Sequence, residues 1–273
     1  LLTAAARHGV RMPLAENDLL ACWLLDTAGV SSASAVRTVC LIDAGGSASG
    51  VPWASCADRV VVVWADGDGH RAADIAAEQL SITPGTNMIG EPRDLVAVDT
   101  SALDGVALAD GVLAQLRTKS ALVRSIQVCA ALDRALDMAV EHARAREQFG
   151  RPLAKFQAVQ QLISDTAAEA ALARSATEAA LAAAVTAEWA GDHVEFLVAA
   201  ARSCAGHAAS VVVRNAHQVL GAIGTTREHL LHEHTRAALA WRSEYGSVHY
   251  WDERVTDMAL QSGDAGLWEL ICP

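Results

Sequence analysis

From about residue 111 to residue 243, hydrophobic positions recur at the three- and four-residue spacing of α-helices. The pattern predicts helices over about 111–147, 153–190, 193–220 and 227–243. One face of the second helix carries Phe156, Val159, Leu162 or Ile163, Thr166 or Ala167, and Ala170. Because the links between these segments are short, we expect neighbouring helices to be antiparallel and to pack as a four-helix bundle.

The part of the chain before residue 111 has a different pattern. Leu19, Leu20, Trp23 and Leu24 have helical spacing, so short helices are predicted within 1–30. Runs of β-branched residues at 36–42 and 60–64 predict strands, and shorter strands are predicted near 80–83 and 94–98. We therefore expect three parts: a helical segment at 1–30, a small β domain at 31–110 and a helical bundle at 111–273.

Composition and charge restrict the class of protein. Hydrophobic residues make up 52% of the 273 residues and charged residues only 19%, which favours a compact fold over disorder. The net charge of −11 would repel a nucleic acid, so no nucleic-acid partner is expected. The alanine-rich segments are interrupted by Glu169, Arg174, Glu178 and Glu188, so we expect no membrane insertion. The six cysteines are scattered without a C-x-x-C pair, which favours reduced thiols and a cytoplasmic location. Since the chain begins with Leu1 and not with Met, we expect residues to be missing in front of it.

A short segment between the first two predicted bundle helices carries the first candidate chemistry. It reads R-x-x-F-G-x-P-L-x-x-F-Q-x-V-Q, from Arg146 to Gln160. An arginine offers fork-shaped donors to phosphates, and an aromatic ring offers an apolar contact. Taken alone, Arg146, Phe149 and Gly150 would fit ordinary helix termination, with Arg146 and Phe149 on one face of the last turn. The extended pattern is far more specific than that cap.

A second segment lies between the third and fourth predicted bundle helices. It runs from Gln218 to His229 and contains Gly221, Ala222 and Gly224. Small residues allow a backbone to approach a ligand closely, although a helix end followed by a loop would have the same composition.

The two segments, in this order and in this helical setting, resemble the signature of the acyl-CoA dehydrogenase family. The resemblance implies a mainly α fold with a small β domain, a C-terminal four-helix bundle and a reduced N-terminal helical domain. It also implies FAD as cofactor and the dehydrogenation of acyl-CoA thioesters. The positions implied to contact FAD held by a neighbouring subunit are Arg146, Gln148, Phe149, Gln157, Gln218, Gly221 and Ala222. Ala222 stands where the family usually has a second glycine, which makes that contact less secure.

The catalytic base of the family is not matched. Dehydrogenation needs a carboxylate that removes the α-proton. In most of the family a glutamate stands just before a glycine, whereas here Tyr245 precedes Gly246. Glu244 is displaced by one position, about 100° on a helix, and is interpreted as a solvated surface residue and only a weak catalytic candidate. Where other members place the base, this chain has Lys119-Ser120-Ala121, without a carboxylate.

Other clusters carry less weight. His229, His232 and His234 could suggest a metal, but similar segments occur in the family without one, so we expect none. Asp66 and Asp68 do not continue into a calcium loop, because Arg71 stands where that loop needs glycine.

These observations predict a subunit of a heteromeric acyl-CoA dehydrogenase, in which a longer subunit carries the flavin ring pocket, the base and most of the acyl-CoA site. An α2β2 assembly, a separate electron-transfer acceptor and a steroid side-chain CoA substrate are the narrower expectations. Two alternatives stay open. One is a self-sufficient homo-oligomeric dehydrogenase that uses Glu244, and the other is a non-catalytic scaffold subunit without flavin contact.

Overall fold

The computed structural model describes residues 1–271, apart from the side chains of Asp264 and Ala265. The chain divides into two compact units. One comprises Arg11–Ser120, and the other comprises Leu1–Val10 together with the chain from Ala121 onward. The three-part division at residues 30 and 110 stays a prediction, and its last two residues lie outside the described part.

The unit of Arg11–Ser120 combines a short helical stretch with two small sheets. A π-helical stretch, Ala15–Cys22, continues into α2, Trp23–Thr27. The strands are β1 (Arg37–Leu41), β2 (Ser47–Pro52), β3 (Arg59–Asp66), β4 (Gly69–Ala76), β5 (Ser81–Thr83), β6 (Arg93–Ala97) and β7 (Val106–Ala107). One sheet has the order β1-β3-β4-β7 and the other the order β2-β6-β5.

The β-branched runs form the strands that the pattern predicts. β1 and β3 are parallel, with Val39 opposite Val61, and β3 and β4 form a hairpin that closes at Asp66 and Gly69. Leu20 and Leu24 are fully buried against β1, β3 and the start of the long helix that follows. β2 and β4 were not predicted, because Ser47–Pro52 and Gly69–Ala76 carry few large apolar residues.

The other unit is the helical bundle. Besides α1 (Leu2–Arg7), its elements are α3 (Val112–Ala145, from Ala121 onward), the strand pair β8 (Glu147–Gln148) and β9 (Arg151–Pro152), α4 (Gln157–Thr186), α5 (Asp192–Leu220), α6 (Leu231–Trp241) and α7 (Val248–Ile271). The predicted bundle is confirmed for α3 to α6. α7 was not predicted, and it packs along α5, where a side chain at Gly206 would meet Val248 at 2.6 Å.

Alanine makes the bundle tight. Ala180 and Ala184 of α4 are fully buried against Val194 and Val198 of α5, which fixes one end of an antiparallel pair. At the other end, the Asn215 Nδ2 of α5 donates to the Leu162 carbonyl of α4 at 3.4 Å. The start of α4 and the end of α5 therefore lie at the same end of the bundle.

Helix α5 and the turn after it are long and apolar enough to span a membrane by length and composition alone. In this structure 56% of the apolar window is buried. A helix at the core of a bundle meets the same criteria, so α5 has a full explanation in the packing described above.

Candidate functional site

The segment after α3 is a β-hairpin and not the last turn of a helix. α3 ends at Ala145, and Gln148 pairs with Arg151 across a two-residue turn. Phe149 has φ 54° and Gly150 has φ 77°, as a type I′ turn requires at both central positions. The expectation that Arg146 and Phe149 share a helix face is therefore wrong, because Arg146 lies at the base of this hairpin and Phe149 at its tip.

The tip of the hairpin presents an aromatic ring to the outside. Phe149 is 90% exposed and contacts the edge of Phe156, with ring centroids 6.1 Å apart. The guanidinium of Arg151 lies 4.2 Å from the Phe156 ring centroid on the same hairpin. The ring therefore lies outside the core, at a backbone φ that phenylalanine rarely adopts and that the type I′ turn requires.

The second segment lies near the first. The pKa of the His142 side chain, one turn before the end of α3, is lowered by burial and then by His229 and Arg146. His142 is thus within electrostatic reach of both segments. Gln218 occupies the last turn of α5, and a 3₁₀ turn, Gly221–Thr225, follows it.

Gly221 has a conformation that few other residues adopt. Its φ of 63° and ψ of −142° belong to glycine, and a β-carbon built there has nothing within 4 Å. Gly224, by contrast, is buried, and its β-carbon would meet Leu220 at 2.9 Å. The backbone at Gly221 is therefore open to an outside group, whereas Gly224 packs inside the turn.

All seven residues that the sequence predicts for cofactor contact are exposed: Arg146, Gln148, Phe149, Gln157, Gln218, Gly221 and Ala222. The sequence segments that carry them meet at one end of the bundle, because the start of α4 and the end of α5 coincide there. The set offers a guanidinium, amide groups, a ring and an unobstructed backbone. These are the groups that a phosphate-bearing, flat ligand needs.

In the loop after α6, by contrast, polar groups are hydrogen-bonded to buried side chains of the bundle. α6 ends at Trp241, and Glu244 and Tyr245 lie in the following turn, so the 100° helical rotation does not apply to them. Glu244 accepts a hydrogen bond from Arg124 Nε at 2.7 Å. The Arg124 side chain is 1% exposed and that of Glu244 17% exposed. The interpretation of Glu244 as a solvated surface residue is therefore wrong, because a buried arginine of α3 holds it.

A second buried arginine secures this loop. Arg202 of α5 is 2% exposed, and its Nη2 donates to the carbonyl oxygens of Arg242, Glu244 and Gly246 at 3.0, 2.6 and 3.2 Å. Burial, and then the nearby Arg124, lowers the pKa of Arg202 to about 10, so it stays charged at neutral pH. The Arg124 guanidinium also lies 5.2 Å from the ring centroid of Tyr245.

Gly246 completes this closed loop. Its φ is 118°, and a β-carbon there would approach Trp251 Nε1 at 2.6 Å and Tyr250 at 2.7 Å. Sequence reasoning noted Gly246 but missed Arg124 and Arg202. The only signal for them was an arginine in the middle of an otherwise apolar helical stretch, which indicates a buried ion pair as readily as a surface charge.

The alternative position for the catalytic base, Lys119–Ala121, also has no carboxylate that could accept the α-proton. Lys119 is 7% exposed, and its ammonium lies 4.6 Å from the ring centroid of Trp23 in the same unit. Burial lowers the pKa of Lys119 to about 8. Ser120 donates to the Leu116 carbonyl at 2.8 Å within α3. A lysine and an internally bonded serine occupy the place where a carboxylate would be needed.

His229 and His232, in the segment after α5, make hydrogen bonds with nearby backbone atoms. His229 Nδ1 accepts a hydrogen bond from the Leu231 backbone at 3.1 Å, and His232 Nδ1 lies 2.9 Å from the His229 carbonyl oxygen. Among residues 1–271, no three side chains of the metal-binding types come together as a site.

The sequence profile of the acyl-CoA dehydrogenase C-terminal domain matches residues 104–248, which is more than half of the chain. The chain therefore belongs to the acyl-CoA dehydrogenase family, whose members generally use FAD.

Particular relatives add detail. The acyl-CoA dehydrogenase FadE34 of Mycobacterium tuberculosis is 36% identical over 121 residues, which are 44% of this chain but only 17% of FadE34. The ChsE4-ChsE5 complex of Mycobacterium tuberculosis superposes with a TM-score of 0.84 at 24% identity, covering 95% of this chain and 79% of the other. The G363A variant of the steroid acyl-CoA dehydrogenase Tcur3481-Tcur3483 gives a TM-score of 0.84 at 21% identity, covering 96% and 80%. At these identities the two structures establish the fold alone.

Proposed function

We propose that this chain is one subunit of a heteromeric, FAD-dependent acyl-CoA dehydrogenase. It supplies the hairpin and the end of α5 to FAD that a longer subunit holds. The longer subunit supplies the flavin-ring pocket, the catalytic base and most of the acyl-CoA site. When bound, FAD accepts the hydride removed from the Cβ of the thioester.

One contrast carries the proposal. The seven residues predicted for FAD contact all face outward, whereas the position of the base is Tyr245 and the neighbouring Glu244 is bonded to Arg124. A carboxylate that already accepts a hydrogen bond from a buried guanidinium is poorly placed to take a proton from carbon. A site with exposed cofactor-contact residues but no carboxylate at the position of the base needs a second chain for its chemistry.

Each contact residue has a defined part in this proposal. Arg146 meets the pyrophosphate with a fork of N–H donors. Phe149 covers the flat adenosine portion, and the amides of Gln148, Gln157 and Gln218 meet its polar edges. Gly221 lets the backbone come close, and the methyl group of Ala222 limits that approach on one side.

The narrower parts of the proposal rest on likeness to particular proteins. A protein that superposes well on this chain is a steroid acyl-CoA dehydrogenase, and another is the ChsE4-ChsE5 complex. They support a steroid side-chain CoA as the substrate class and a partner chain of the same family. An α2β2 assembly, a separate electron-transfer acceptor and a cytoplasmic location belong to the same proposal.

The test is co-expression with a longer family member encoded beside this chain, one with the glutamate before its glycine. Arg146→Ala should lower the FAD content of the purified complex at least about tenfold at micromolar flavin, since a charge-assisted contact to phosphate is lost. Arg117→Ala, at another exposed arginine, is the matched control and should leave FAD content unchanged. Unchanged FAD content in the Arg146 variant would support the scaffold alternative.

The homo-oligomeric alternative has a separate test. The chain purified alone should show no flavin absorbance. Stoichiometric bound flavin that bleaches on addition of an acyl-CoA would favour a self-sufficient enzyme and exclude the heteromer.

A further inference from the structure

A cleft of about 270 Å³ lies beside the hairpin, between the end of α3 and the start of α4. It is lined by Val140, Ala143, Arg144, Ala154, Gln160, Ile163 and Ser164. None of the seven residues assigned to FAD contact lines it. The cleft is therefore a feature in addition to the proposed cofactor edge.

The lining of the cleft is partly apolar and partly polar. Its apolar part includes the buried Ala143 and the half-buried Val140 and Ile163. Gln160 Nε2 donates to the Ala154 carbonyl at 2.8 Å, which fixes the amide at one edge. A volume of this size accommodates one or two side chains of another protein.

The hairpin side of the cleft is basic, whereas Glu141 and Asp165, next to the lining residues Val140 and Ser164, are acidic. Residues 144–155 contain four basic side chains, Arg144, Arg146, Arg151 and Lys155, and a single acidic one, Glu147. All five are exposed. The local net charge is thus +3 on a chain whose net charge is −11. A basic patch on an acidic protein steers an acidic partner to that place.

The FAD contact leaves part of this charge unassigned. A pyrophosphate carries two negative charges, and Arg146 meets it in the proposed function. Arg151 packs over the ring of Phe156 at 4.2 Å. Arg144 lines the cleft, and the exposed Lys155 is next in sequence to the lining residue Ala154. Both are therefore available to a second anionic group beside the cofactor edge.

We propose that this cleft docks an acidic segment of the longer subunit, with an apolar side chain in the cleft and carboxylates against Arg144 and Lys155. The inference rests on the proposed function, because the occupant is the partner that holds FAD. A nucleic acid is disfavoured as occupant by the net charge of the whole chain. The docked segment would fix the position of the hairpin relative to the FAD held by the longer subunit.

The experiment compares charge reversals in the co-expressed complex. Arg144→Glu with Lys155→Glu should weaken subunit association about tenfold or more at roughly 50 mM salt, and the difference should shrink at roughly 500 mM salt. Arg117→Glu, an exposed arginine outside the patch, is the control and should change association less than about threefold. Ser164→Trp fills the exposed side of the cleft without a charge change and should weaken association at both salt concentrations.

Two readouts separate this inference from the proposed function. Association is measured by sedimentation, and FAD per assembled complex by absorbance. Weaker association with unchanged FAD per complex supports the docking site. Unchanged association with a lower FAD content would overturn it and assign Arg144 and Lys155 to the cofactor phosphates. Normal association of both the double variant and Ser164→Trp would overturn it as well, whatever Arg146→Ala does to FAD.

Discussion

Two turns of the same bundle differ in how their polar groups are used. The hairpin after α3 exposes the side chains of Arg146, Gln148 and Phe149, the last of which is 90% exposed. The loop after α6 has Glu244 bonded to Arg124 and three of its carbonyl oxygens bonded to Arg202. The first is an exposed surface, and the second is a closed structural element. In the proposed function, this difference means that the cofactor edge and the base position are separated within one chain.

The largest expected loss of stability comes from removing Arg124, the buried arginine of α3 that holds the loop after α6. Arg124→Ala leaves the carboxylate of Glu244 largely buried without its cation, which should cost about 3 kcal/mol of unfolding free energy. Urea unfolding of the purified protein measures it. Arg146→Ala, at the exposed hairpin, should change the same quantity by less than about 0.5 kcal/mol. Equal losses in the two variants would contradict the division into a closed loop and an open hairpin.

A second test addresses the alternative base position. The pKa of Lys119 is about 8 in the folded chain, below its ordinary value of 10.5. Between these two pH values the unfolded chain binds more protons than the folded chain does. The unfolding free energy should therefore rise with pH in this window. Below pH 8 the cost of burying the charge is fully present.

Lys119→Met removes this dependence. The stability difference between the variant and the parent should change by about 2 kcal/mol between pH 8 and pH 10.5, in favour of the parent at the higher pH. Lys155→Met, at an exposed lysine, is the matched control and should show no such trend. A flat difference for Lys119→Met would mean that the ammonium reaches water.

The smallest expected change in stability comes from Glu244→Gln, which tests whether Glu244 is a structural residue or the catalytic base. Glu244→Gln keeps an acceptor for Arg124 but removes the charge, so stability should fall by about 1 kcal/mol. Turnover of the assembled complex should stay within about twofold, since this carboxylate takes no proton in the proposed function. A loss of turnover of a hundredfold or more with normal FAD content would make Glu244 the base and favour the self-sufficient enzyme.

Much of the fold was predictable because it follows from local patterns. The helical period gave α3 to α6 within a few residues, and the β-branched runs gave β1 and β3. Phe149 was harder to place, because the glycine that follows it, Gly150, suits both the end of a helix and a type I′ turn. The turn was decided by the pairing of Gln148 with Arg151, which depends on backbone positions and not on residue type.

The sequence by itself determined the family signature, the residue types of the candidate cofactor contacts and the lack of a carboxylate at Tyr245 and Lys119, because these are matters of residue identity and spacing. Only the tertiary structure decided that Arg124 holds Glu244, since the two are 120 positions apart. Such pairings depend on which helices pack together, and burial of arginine between helices follows from that packing and from no local pattern.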